Sequence, residues 1–150
     1  MTKAYFEDIK LREAYRLGEY LLEEKEIIDF AKKYDPLPFH IDPDFARTTT
    51  FGSIIASGFQ LLAICQRLFI EKKPIAFLAG LGLEEVRFVA PGMPGDVLVL
   101  EVEPVSKRQS ESNPQAGIVT HRFRLLNQRD EPLLTYKGVG IVEKRTSLHR

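Results

Sequence analysis

Staples, net charge and membrane anchors are all scarce in this sequence, and each shortage removes a class of protein. Cysteine occurs once, at Cys65, so no internal disulfide can form. Set among Leu61, Leu62, Ile64 and Leu68 in a helical pattern, the thiol reads as a buried packing residue. Net charge is absent, because 21 Lys and Arg balance 21 Asp and Glu. That removes the global attraction expected of a nucleic-acid binder. The longest apolar runs, such as Ile54–Ala56 and Leu61–Cys65, fall far short of the roughly 20 residues that span a bilayer. The opening MTKAYFEDIKLREAY mixes charges and reads neither as a secretory signal nor as a transit peptide, so the expected compartment is the cytoplasm. Repeats, low-complexity tracts and Pro/Ser-rich linkers are missing as well. A chain of 150 residues with even composition is expected to form one domain, long enough to bury one core without a metal or disulfide.

What is present falls into a helical first half and a β-rich second half. Arg16–Leu22 has short extended character and predicts a strand. Over Lys25–Tyr34, apolar residues recur at helical spacing, and Pro36 and Pro38 stop the helix there. His40 to Gly58 reads as loop with one helical turn at Asp44–Arg47. Phe59–Ile70 is apolar nearly all round, the pattern of a helix buried on most sides. Strands are predicted at Glu84–Val89, Val97–Val105, Gly117–Asn127 and Leu133–Glu143, joined by turns short enough for antiparallel pairing. The expected class is therefore α+β, with a sheet wrapping its apolar face around the central helix.

Two segments carry chemistry. In Tyr34-Asp35-Pro36-Leu37-Pro38-Phe39-His40 an acid and an imidazole, both able to move protons, stand five residues apart. Fully extended, such a stretch spans about 16 Å, so the two groups meet only if the chain folds back. The prolines stiffen it and bias Asp35 and Leu37 away from helical backbone. The bland reading has Asp35 ending the helix and His40 packing against Phe39 and Ile41. The second segment, Phe51-Gly52-Ser53-Ile54-Ile55-Ala56-Ser57-Gly58, runs into the buried helix, whose unpaired N–H groups and dipole suit a polarised oxygen. Gly58 would let a ligand approach the backbone. Alternatively, Ser57 is a helix cap and Gly58 a close-packing position.

Together these residues resemble a known family. The run YDPLPFHIDPDFARTTTFGSIIASG is similar to the hydratase motif of MaoC-like dehydratases and R-specific enoyl-CoA hydratases, and EEVRFVAPGMPGD resembles the family's strand-turn signature. The resemblance covers most of the chain. It implies a hot-dog fold in which Asp35 and His40 hold and activate one water and the Gly58 N–H polarises a thioester carbonyl. It further implies a 2-enoyl- or 3-hydroxyacyl-CoA substrate, a homodimer, and no cofactor beyond the coenzyme A of the substrate itself. Tyr34 and Leu37 depart from the family's common Gly and Asn. Phe39, Ile54, Ser57 and Phe59 are the expected substrate contacts. A hot-dog thioesterase and a noncatalytic acyl-thioester-binding module are the alternatives.

Other polar residues are expected to be structural. His121 alternates with Val119 and Phe123 and reads as a satisfied core histidine. Arg122, Arg124, Lys107 and Arg108 read as solvated, Asp96 as a turn residue, and His149 as part of a disordered tail.

Overall fold

The computed structural model describes residues 2–146, so His149 lies outside the described residues. Within them, period-two alternation dominates the second half of the chain. Leu98, Leu100 and Val102 of β3 (Val97–Gln109) are fully buried, while the residues between them are only half-buried. Val119, His121, Phe123 and Leu125 alternate in the same way along β4 (Ala116–Leu126), as expected for a sheet with one face on the core. β3 pairs antiparallel with β4, and β4 with β5 (Pro132–Glu143). The first strand, β1 (Tyr15–Leu21), adds to β3, and β2 (Phe77–Phe88) adds to β5. The sheet order is thus β1-β3-β4-β5-β2.

α1 (Glu24–Tyr34) precedes two short helices, α2 (Pro38–Ile41) and α3 (Pro43–Arg47), and α4 (Gly58–Lys72) lies against the sheet. Leu61, Ile64, Cys65, Leu68 and Phe69 of α4 join Leu98, Leu100, Phe123, Leu125 and Tyr136 of the sheet in one core. Burying a side chain of this size contributes about 1.5–3 kcal/mol. The arrangement is the hot-dog type of α+β fold. Among the described residues no helix is long and apolar enough to cross a membrane.

Three expectations are corrected here. β2 begins at Phe77 rather than Glu84. His40 stands not in a loop but in the single turn of α2, which Pro38 opens at its first position. α4 is not covered on most sides, since Phe59 is 63% and Ile70 52% exposed. The solvated-residue expectation also fails in part. Lys107 donates from Nζ to the carbonyls of Phe6 and Ile9 at 3.0 and 2.9 Å, tying down the amino-terminal segment. Arg122 and Arg124 pair across the strands with Glu103 and Glu101. Asp96 is a turn residue as expected, accepting from the Met93 N–H at 2.8 Å.

Candidate active site

The bend between Asp35 and His40 is made by local hydrogen bonds. Asp35 ends α1, its N–H donating to the Ala31 carbonyl. Its own carbonyl then accepts from Leu37 N–H, and the Leu37 carbonyl accepts from His40 N–H, at 2.8 and 2.9 Å. Two prolines in this segment leave few backbone donors to compete. The turn of α2 thereby brings the imidazole back towards the carboxylate, with His40 Nε2 3.4 Å from Asp35 Oδ2.

The extended segment before α4 completes the site. Its Ile55 N–H donates to the Phe39 carbonyl at 3.2 Å and its Ala56 N–H to the Gly92 carbonyl at 2.9 Å. So pinned, Ile55 presents its own carbonyl to His40 Nδ1 at 2.6 Å. A carbonyl only accepts, so Nδ1 carries a ring proton, and in the neutral form of the imidazole Nε2 turns a bare lone pair towards Asp35. Ser57 is fully buried and caps α4 through its hydroxyl, which accepts from Phe59 N–H at 3.2 Å. The same hydroxyl donates to Asp35 Oδ2 at 2.7 Å. Leu37, standing where the family commonly has Asn, offers no side-chain donor, and Ser57 holds the carboxylate instead.

Gly58 opens α4, so its N–H has no acceptor within the helix. A Cβ at this position would lie 2.3 Å from the Phe88 ring. The close-packing reading of Gly58 therefore holds, and it leaves room for an additional role of the N–H. Of the expected substrate contacts, Phe39 packs edge-on to His40 with ring centroids 4.5 Å apart. Ile54 belongs to the core, and Phe59 lies on the exposed face of α4. Sequence patterning did not single out Ile55, whose contribution is a carbonyl, or Phe88.

Cys65 is no rival nucleophile, because burial pushes its thiol up to about 12, far above the range in which a thiolate forms. Removing the Ser57 hydroxyl takes away both a helix cap and the hydrogen bond on Asp35. Ser57→Ala is expected to cost about 1 kcal/mol of stability in urea unfolding and to lower kcat with little change in KM.

An imidazole and a carboxylate, side chains able to move protons, thus meet beside the N-terminus of the helix that lies against the sheet of this hot-dog scaffold. The family model of the MaoC like domain matches residues 7–123, and the chain belongs to that family. A MaoC-like dehydratase from Rhodospirillum rubrum is 31% identical, with a TM-score of 0.85 over 95% of this chain and 98% of that one. An (R)-hydratase from A. caviae involved in PHA biosynthesis is 26% identical, with a TM-score of 0.70 over 91% of this chain and 98% of that one. The sequence is also 38% identical over 68 residues to mesaconyl-CoA hydratase of Cereibacter sphaeroides, a match covering 45% of this chain and 20% of that protein.

His121 corrects another expectation. It is buried, yet its Nε2 has no hydrogen-bond partner among the described residues, and such an orphan costs about 1–3 kcal/mol. Burial holds its pKa down at about 4, from an ordinary 6.5. The unfolded chain therefore binds the extra proton first as pH falls. Stability tied to the neutral ring is complete above about pH 6.5 and is lost as pH drops towards 4, by at most about 3 kcal/mol. Urea unfolding at pH 7 and pH 4.5 should show a larger loss for wild type than for His121→Gln.

Proposed function

We propose that the protein is a cytoplasmic homodimeric hydratase/dehydratase that adds water to a 2-enoyl-CoA thioester, or removes it from the 3-hydroxyacyl product. The observation carrying this reading is that His40 Nε2 and Asp35 Oδ2, 3.4 Å apart, are both acceptors when the imidazole is neutral. Two adjacent acceptors cannot bond each other, and a water with two hydrogens satisfies both. The pair thereby positions that water's oxygen against the β-carbon. As it adds, the pair removes a proton from the water and returns one to the α-carbon, while the Gly58 N–H bears the charge that collects on the thioester oxygen. No metal or redox group enters this scheme, since coenzyme A is part of the substrate. Membership of the MaoC-like family and the likeness to an (R)-hydratase support it.

Asp35 and His40 both precede α4 in the sequence, whereas the acid of a hot-dog thioesterase usually stands on or beside the helix. In space Asp35 also stands beside α4, through Ser57, so that distinction falls to experiment. Loss of the enoyl-thioester ultraviolet chromophore from crotonyl-CoA is followed alongside free thiol. Chromophore loss without thiol release supports the hydratase. Thiol release indicates a thioesterase, and binding without turnover indicates an acyl-thioester-binding module.

The second copy belongs on β2. Among the described residues that strand pairs only with β5, and Leu78, Leu81 and Leu83 are each more than half exposed. A long apolar edge is a template for another strand. Sedimentation is expected to give a dimer for wild type and a monomer for Leu81→Lys.

A further inference from the structure

Among the described residues, two side-chain hydrogen bonds join α1 to α4. One is the bond from Ser57 Oγ to Asp35 Oδ2 at 2.7 Å, between the cap that ends α1 and the cap that opens α4. The other runs from Gln60 Nε2 to Glu26 Oε1 at 3.3 Å. Ser57 and Gln60 are three residues apart and so are neighbours on one side of α4. Glu26 and Asp35 stand in the first turn and at the end of α1, about 13 Å apart at a rise of about 1.5 Å per residue. The two bonds therefore hold α1 near both of its ends. Glu26 Oε1 also accepts from the Tyr20 hydroxyl at 2.5 Å. Burial, with the Glu26 hydrogen bond behind it, holds the Tyr20 pKa up at about 12, so the phenol keeps its proton and donates. Through Tyr20 of β1 the same carboxylate ties the start of α1 to the sheet.

Packing alone does not account for an amide at position 60. Gln60 is only 2% exposed, and its Oε1 has no partner among the described residues. A buried acceptor without a donor lowers stability, and replacing it by an apolar group of the same shape is nearly neutral or stabilising. The amide is accounted for by what its other end holds. Ile27 seats α1 in the core, but apolar contact is non-directional. One hydrogen bond between two helices leaves a pivot, and a second fixes the angle. That angle sets the place of Asp35, which ends α1 and faces His40 Nε2 at 3.4 Å.

We propose that Gln60, acting through Glu26, is a positioning residue for Asp35: it fixes the angle of α1 on α4 and so the separation of the carboxylate from the imidazole. This assignment rests on the hydratase activity proposed above.

Steady-state hydration of crotonyl-CoA and thermal melting are measured together for Gln60→Met, whose unbranched apolar side chain fills the space without the amide. The expected outcome is a fall in kcat of about tenfold with KM unchanged, inside the roughly 10²-fold that a 1 Å misplacement can cost. Because the orphaned oxygen goes with the amide, the variant should melt no lower than wild type. Glu26 is half-buried, so Glu26→Ala keeps the fold and should lower kcat by the same factor. Glu26→Gln retains an oxygen for both donors and should keep the wild-type rate. In an Asp35→Asn background Gln60→Met should cause no further fall, since the group it positions no longer takes a proton. An unchanged kcat in Gln60→Met, a loss matched by a lower melting temperature, a change in KM alone, or an equal loss in the Asp35→Asn background would each overturn the proposal. Wild type that leaves crotonyl-CoA unhydrated contradicts the activity and this assignment with it, whereas an active wild type with an indifferent Gln60→Met contradicts the assignment alone.

Discussion

Asp35→Asn and His40→Gln are each expected to lower kcat for enoyl-thioester hydration by about 10²–10⁴-fold, the usual contribution of a positioned acid/base group. Both variants keep the local architecture. An asparagine oxygen at position 35 still accepts from Ser57 Oγ, which lies 2.7 Å from the carboxylate in wild type. A glutamine at position 40 still carries an amide donor for the Ile55 carbonyl, the partner of His40 Nδ1. What is lost is the capacity to take a proton, so KM should move little while kcat collapses. Because the two groups are assigned to one water, Asp35→Asn with His40→Gln should cost about as much as either alone, the behaviour of residues that act as a unit. Penalties that multiply would mean that each group acts on a different atom.

Gly58→Ala has the second-largest expected effect. The added methyl would meet Phe88 Cε1 at 2.3 Å, and either the ring or the first turn of α4 must give way. Phe88 is 55% exposed, so the ring can swing outward and the fold survives. The expected outcome is a fall in kcat/KM of about 10²-fold, the size associated with one oxyanion donor, with near-normal thermal melting. Adding Phe88→Ala removes the clash. If the loss stems from displacement of the helix start, activity returns in the double variant. A loss that persists assigns the harm to the methyl group in the path of the thioester.

The long, strongly patterned elements were legible in the sequence. The proline stop placed the end of α1 at Tyr34, and the apolar density of Phe59–Ile70 marked α4, which runs Gly58–Lys72. β2 was half-missed, because Gly80 and Gly82 sit in its interior and glycine weakens a strand signal. A four-residue helix such as α2 (Pro38–Ile41) is too short to show a period. Apolar residues on α4 such as Phe59 and Ile70 looked buried because apolar composition does not tell which side of a helix its own chain covers, and both are exposed. At the site, it was the resemblance to the MaoC-like motif that named Asp35, His40 and Gly58, because their spacing alone left the bland readings open. The groups that orient them were less visible, because the Ile55 carbonyl has no side-chain signature and the Ser57 hydroxyl was read as a cap or a substrate contact. Alternation put His121 on the inner face, but no pattern in a sequence tells whether a buried nitrogen finds a partner.

The central claim is that Asp35 and His40 together add water across a conjugated thioester. Its most direct test is proton and carbon NMR of crotonyl-CoA incubated with the enzyme in deuterium oxide. The account predicts an intact thioester bearing a hydroxyl on the β-carbon and one deuterium on the α-carbon, with no such product from Asp35→Asn. Release of free coenzyme A and crotonate, or the same product formed at the wild-type rate by Asp35→Asn, would contradict it.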